Sequence, residues 1–126
     1  MSVYNGEEFI SNSINSILNQ TYKNFEFLII NDGSTDNSER IIKSYSDSRI
    51  KYLAKPNTGL TKSLNFGLKQ TKGEYIARID CDDYSMPNRL ALQIKKIDKN
   101  KDLGLVASRA IIIQNGKKKY TPFYSE

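Results

Sequence analysis

The sequence predicts an α/β sandwich, a mostly parallel central sheet with helices on both faces. Three observations carry this. Short runs rich in β-branched and aromatic residues, such as Phe25 to Ile30 and Ile50 to Leu53, alternate with stretches whose apolar residues recur at helical spacing. A helix between two strands is what a parallel neighbour requires, because the chain must cross over to re-enter the sheet in the same direction. Finally, 126 residues with 38% hydrophobic and 26% charged side chains are enough for one ordinary globular domain, read as a single unit over residues 1–126.

Each element follows in chain order. Phe9, Ile10, Ile14, Ile17 and Leu18 share one face of a helix over about residues 7 to 20. Phe25 to Ile30 is a buried strand ended by the turn cluster Asn31-Asp32-Gly33-Ser34. Asp36 or Ser38 caps a second helix that reaches about Tyr45, with Ile41, Ile42 and Tyr45 on its inner face. Ile50 to Leu53 is the next strand. Leu60, Leu64 and Leu68 mark a third helix, closed by Gly73. Tyr75 to Ile79 reads as a strand running into Asp80, and Pro87 opens a fourth helix that buries Leu90, Ile94 and Ile97. Leu103 to Ile113 is a last strand region, and Asn115-Gly116 turns it back toward Lys117 to Tyr120.

Composition removes several chemistries. Cys81 is the one cysteine and there is no histidine, which excludes an internal disulfide, a Cys/His zinc site and histidine catalysis, and points to a reducing cytoplasmic setting. No apolar run approaches the roughly 20 residues that cross a bilayer, and the first residues lack the basic and apolar regions of a signal peptide. Neither a Walker phosphate loop nor a Gly-x-Gly-x-x-Gly turn is present. The net charge of +5 is concentrated at residues 95–119, where Lys95, Lys96, Lys99, Lys101, Arg109, Lys117, Lys118 and Lys119 face only Asp98 and Asp102. That stretch suits an anionic lipid surface or a nucleic acid, and equally a solvated helix and hairpin.

In open parallel sheets ligands bind beyond the carboxyl ends of the strands. The polar segments there are Tyr4-Asn5-Gly6-Glu7, Asn31-Asp32-Gly33-Ser34 and Asp80-Cys81-Asp82-Asp83. Three carboxylates within the last of these repel one another unless a cation or solvent screens them, and hard oxygen ligands suit Mg²⁺ or Mn²⁺. An exposed acidic turn before Pro87 gives the same tetrapeptide. A substrate matched to a shared divalent ion is a nucleotide diphosphate. Asp32 at a strand end can accept from the imide N–H of uracil. The stretch Lys55-Pro56-Asn57-Thr58-Gly59 offers a cation for phosphate or simply a charged loop, and Cys81 reads as a spacer.

Together these pieces resemble the N-terminal, nucleotide-binding half of family 2 glycosyltransferases. The matching residues are Ser2-Val3-Tyr4-Asn5-Gly6-Glu7-Glu8, Ser16 to Tyr22, Phe25 to Ser38, Asn57-Thr58-Gly59-Leu60, Asn65-Phe66-Gly67, Gly73-Glu74-Tyr75-Ile76, and Asp80-Cys81-Asp82-Asp83 with Pro87-Asn88-Arg89-Leu90. The resemblance implies a GT-A-like, Rossmann-type α/β/α sandwich, truncated at both ends. It implies transfer of a sugar, with inversion, from a nucleotide-diphosphate donor that is usually UDP-linked to a glycan or other acceptor. It assigns nucleotide binding to Ser2, Val3, Tyr4, Asn5, Asp32 and Asp80, and Mn²⁺ or Mg²⁺ to Asp82 with Asp80. It implies no nucleic-acid partner, and it leaves open peripheral contact with the inner face of a membrane. This sequence departs from the family pattern at Asn31, where a second aspartate is common, and at Leu64, where an arginine is frequent. The general base for the acceptor follows well after the DxD motif in the family, so Asp102 and Glu126 fall too early and no residue takes that role. The competing reading is a non-catalytic nucleotide-binding or basic-face adaptor domain.

Overall fold

β1 (Ser2–Val3), β2 (Phe27–Asp32) and β3 (Ile50–Lys55) form a parallel three-stranded sheet in the order β1-β2-β3. This computed structural model describes residues 1–114 and 117–121. The register sets Val3 beside Asn31 and Asp32 beside Lys55, so the polar ends of neighbouring strands arrive level with one another. β2 is buried along its whole length, as expected of a central strand covered on both faces.

The crossovers are α1 (Ile10–Leu18) and α2 (Ser38–Lys43), and α3 (Leu60–Leu68) follows β3. Alternation along β2 divides the core into two. Phe27 and Ile29 pack with Val3, Ile10, Ile14, Ile17, Ile42 and Ile79, the layer made with α1 and α2. Leu28 and Ile30 face the other way, onto α3. There the contact is so close that a Cβ on Gly67 would lie 2.5 Å from Cδ1 of Ile30. The result is an α/β fold with a parallel sheet between helical layers.

The chain divides into two compact units, Met1–Leu90 and Ala91–Glu126. α4 (Arg89–Lys99) starts at the end of the first and supplies its buried Leu90, while Ile94 and Ile97 are half-buried. In the second unit β4 (Ile111–Gln114) pairs antiparallel with β5 (Lys117–Tyr120). Mutual hydrogen bonds between Ala110 and Thr121 extend that ladder. The Asn115-Gly116 turn and Glu126 lie outside the described residues. Among the described residues, no helix is long and apolar enough to cross a membrane.

Five local expectations are corrected. Tyr75 to Ile79 is not a strand; only Ile79 reaches the core, while Tyr75 and Ile76 stay exposed. A strand exists as part of a ladder, and the parallel sheet is built from β1, β2 and β3 with no ladder to this segment among the described residues. Residues 103–110 are also irregular, so the last strand region begins at Ile111. α3 is a helix as its leucines suggest, but Leu60 and Leu68 are exposed and its closest face is Ser63 and Gly67, since small residues allow the tight approach to β2. It ends at Leu68, so Gly73 does not close it. Phe9, expected inside, is exposed at the N-cap of α1.

Candidate functional site

A cleft of about 460 Å³ opens at the carboxyl ends of the parallel strands, a size that suits a small organic ligand. It is lined by Ser2 and Tyr4 from the end of β1, Asp32 from the end of β2, Asn57, Gly59 and Leu60 from the start of α3, and Asp80, Cys81 and Asp82. The ends of β1 and β2 therefore meet the acidic segment at one rim, although no strand leads into Asp80. Val3 and Asn5 do not line it. Val3 is fully buried in the core beside Ile10 and Ile29. Asn5 adopts φ 51°, and its side chain accepts from Thr35 N–H at 2.8 Å.

That role for Asn5 belongs to a lattice joining the loops after β1 and β2. Gly6 N–H donates to Ser38 Oγ at 2.8 Å, and Glu7 N–H donates to Asp36 at 2.9 Å. Asn37 returns two bonds, from its backbone N–H and its side-chain amide, to Glu7. Burial alone would raise the carboxyl of Asp36, but hydrogen bonds from Ser38 and from the Glu7 N–H outweigh it and hold the group below the usual range. The chain leaving β2 turns at Gly33, whose φ of 72° suits glycine. A Cβ there would also stand 2.7 Å from the backbone nitrogen of Asn57.

Asp32 is the most enclosed acid of the cleft, 2% exposed. Oδ1 accepts from Thr58 N–H and Oδ2 from Gly59 N–H, each at 2.9 Å, and Lys55 Nζ forms an ion pair with it. Both amides lie at the N-terminus of α3, where the helix dipole favours an anion. Burial pushes the Asp32 carboxyl up, but the Lys55 and Thr58 hydrogen bonds with the Lys55 charge more than offset it, leaving it at about 2. Lys55 also bonds to the Pro56 carbonyl and the Thr58 and Ser63 hydroxyls. It is thus folded onto Asp32 and not extended toward an incoming phosphate.

The acidic segment is built differently. Asp82 and Asp83 are exposed, and Asp80 is held in a bidentate pair with Arg78 at 2.9 Å. Cys81 tucks its thiol against Gly6, where a Cβ would lie 3.2 Å from Sγ. Burial first, then the charges of Asp82 and Asp80, push that thiol above its ordinary value, away from nucleophilic chemistry. Among the described residues no cluster of three or more Asp, Glu or Cys side chains forms a ready metal cage.

What the sequence reading missed is the support behind this segment. Ser13, Ser16 and Gln20 are buried polar residues at the inner side of α1 and just beyond it, and they hydrogen-bond residues 81–90. The signal available was small polar residues interrupting an apolar helix face.

The chain matches the model of the protein family described as glycosyl transferase family 2 over residues 1–124. It is 41% identical over 120 residues to an uncharacterized glycosyltransferase of Rickettsia typhi, covering 94% of this chain and 37% of the relative. It is 41% identical over 97 residues to the glycosyltransferase GlyA of Streptococcus pneumoniae, covering 75% of this chain and 14% of that one. Among solved structures, S. aureus TarS residues 1–349 in complex with UDP-GlcNAc superimposes with a TM-score of 0.76 at 27% identity, covering 92% of this chain and 34% of TarS 1–349. The complex of the same fragment with UDP gives 0.75, also at 27% identity, with 92% and 35% covered. The chain spans well under half the length of these relatives. With the parallel sheet, the strand-end cleft and a family match along almost the whole sequence, this chain belongs to glycosyl transferase family 2 and carries its GT-A-like N-terminal fold.

Proposed function

We propose that residues 1–126 form a donor-binding domain of a sugar transferase, taking a nucleotide-diphosphate sugar, UDP-linked, for transfer to a glycan acceptor with inversion. The observation that carries this reading is the convergence of Ser2, Tyr4, Asp32, Asp80 and Asp82 on one cleft. Tyr4, 53% exposed, offers a ring for the base, and Asp32 Oδ2 keeps acceptor capacity beyond the Gly59 amide for an imide N–H. That the similar TarS fragment has been solved with UDP and with UDP-GlcNAc supports a uridine donor.

Asp82, with Asp80 beside the ribose and diphosphate, would hold Mn²⁺ or Mg²⁺. The exposed Asp82 carboxylate suits such an ion, since Mg²⁺ typically takes one or two carboxylates and completes its shell with water and substrate phosphates, whereas Asp80 would join it only by giving up its pair with Arg78. When bound, the ion supplies charge neutralisation for the diphosphate and the leaving group. The chain's own part is to orient the nucleotide between Tyr4, Asp32 and the acidic loop, which fixes where the anomeric carbon meets an acceptor. An inverting transfer also needs a base for the acceptor hydroxyl, and we assign that role to none of the described residues.

Calorimetry of UDP with the purified chain, in manganese and in EDTA, tests this. UDP binding strengthened by Mn²⁺ and weakened in Asp82→Ala is expected. Binding that ignores both the ion and Asp82, and responds instead to polyanions with a steep salt dependence, would replace this reading with a basic-face adaptor.

A further inference from the structure

Residues 80–88 contain no strand or helix, yet they carry the carboxylates assigned above to a cation. Backbone this irregular has no ladder to set its position, so its hydrogen bonds must be found elsewhere. Most of them lead to Ser13, Ser16, Gln20 and Thr21, and of these Gln20, just beyond the end of α1, is fully buried. Its Nε2 donates to the Met86 carbonyl at 2.8 Å and lies 3.1 Å from Ser85 Oγ, and its Oε1 accepts from Leu90 N–H at 3.0 Å. Ser16 Oγ accepts from Ser85 N–H at 3.0 Å and donates to the Ser13 carbonyl at 2.8 Å. Ser13 Oγ reaches the Cys81 carbonyl at 2.8 Å, and Thr21 N–H donates to the Pro87 carbonyl at 2.8 Å.

The spacing explains why these residues work together. Ser13 and Ser16, three positions apart, share one side of α1, and Gln20 just past its C-terminus continues that polar edge by donating from Nε2 to the Ser16 carbonyl at 3.1 Å. That edge grips the loop on both sides of Asp82, at Cys81 and again at Ser85, Met86 and Leu90. The helix itself is fixed to the sheet through Ile10, Ile14 and Ile17. A rigid element thus sets the height of an exposed carboxylate without touching it.

We propose that Gln20, with Ser16, is a positioning residue for the cation-dependent part of nucleotide binding. It presents Asp82 and Asp80 at the geometry a divalent ion and a diphosphate share, and it makes no contact with either. The inference rests on the donor-binding reading above. Partners that orient metal ligands from behind are worth about 10–100-fold in metal affinity, a scale that guides the test.

The experiment compares the wild-type chain with Gln20→Ala and the milder Ser16→Ala. UDP affinity is measured by calorimetry in manganese and in EDTA, alongside the thermal midpoint. In Gln20→Ala the manganese-dependent gain in UDP affinity should fall by ~10–100-fold while the metal-free affinity stays at the wild-type level. Ser16→Ala should show the same selective loss to a smaller degree, and it decides the matter if Gln20→Ala does not fold. Variants that lower the midpoint but keep the manganese gain would overturn the positioning role and leave the donor-binding reading intact. So would a proportional fall in both affinities, which marks general loosening. A wild-type chain with no manganese-dependent UDP binding would instead remove the reading on which this inference rests.

Discussion

Asp32 and Asp82 line the same cleft and share almost nothing else. Asp32 is sealed against the first turn of α3, with two backbone amides and Lys55 on its carboxylate. Asp82 stands in the open on a loop without regular structure, held only through its neighbours. The difference shows how one site can combine a fixed half and a permissive half. On the Asp32 side the charge is already compensated by the fold, so the wall is shaped before any ligand arrives. On the other side Asp80 is paired with Arg78 at a more exposed position, and Asp82 has no such ion pair among the described residues, which is the condition for recruiting a cation from solution.

The largest effect should therefore come from removing the sealed acid. Asp32→Ala leaves the partly buried Lys55 without its carboxylate and frees the Thr58 and Gly59 amides. Breaking a buried pair in this way costs about 3 kcal/mol, a large share of the stability of a small domain. Asp82→Ala, at an exposed position, should shift stability by no more than about 0.5 kcal/mol while removing manganese-dependent UDP binding. Urea denaturation and calorimetry on the two variants would show the dissociation. Equal destabilisation by both would erase the contrast drawn between the two sides.

The pH dependence sharpens the same contrast. The Asp32 carboxyl sits at about 2 in the fold against an ordinary 3.8. Its folded value is the lower one, so its contribution is fully present above about pH 4 and is lost as pH falls through the window toward 2. Asp47, lowered to about 2 by its hydrogen bonds with Arg49, and Asp36 and Glu39, also held below their ordinary values by hydrogen bonds, titrate in the acid range as well, so the wild-type slope belongs to all four. Urea midpoints between pH 2 and 5 should fall more gently in Asp32→Asn than in the wild type. An unchanged slope would mean that the Lys55 and amide contacts do not hold Asp32 as described.

Much of this was legible in the residues, and the failures share a cause. Ile10, Ile14 and Ile17, the run from Phe27 to Ile30, and Ile42 announced the buried elements because periodic burial is a local property of sequence. Asp32 pointed to the rim because it ends a buried strand, whereas Asp80 and Asp82 line the same cleft without following a strand, and their pattern alone fits an acidic turn as well. The strand expected at Tyr75 to Ile79 failed because a ladder depends on a neighbour that local pattern does not report. Lys55 stays open between a phosphate contact and a charged loop because nothing in Lys-Pro-Asn-Thr-Gly reveals that the side chain folds back onto an acid 23 positions earlier. Gln20 escaped notice for the same reason, since its partners lie 65 to 70 residues downstream.

The smallest expected effect concerns Cys81, which lies in the open half yet is shielded within it. Its thiol is half-buried against Gly6 and flanked by Asp80 and Asp82, and both circumstances disfavour the thiolate. Modification by a disulfide reagent at pH 7.5 should accordingly be slower than that of an unfolded control, because only the thiolate reacts. Manganese with UDP should slow it further, since Cys81 lines the cleft the nucleotide would fill. Cys81→Ser should leave manganese-dependent binding near the wild-type level, because serine is close to cysteine in shape and the backbone of the loop still meets the Ser13 hydroxyl. Rapid labelling of the free chain, or a Cys81→Ser variant that loses the manganese gain as Asp82→Ala does, would move the thiol from spacer to participant. The open half of the cleft would then be less permissive than its exposed carboxylates suggest.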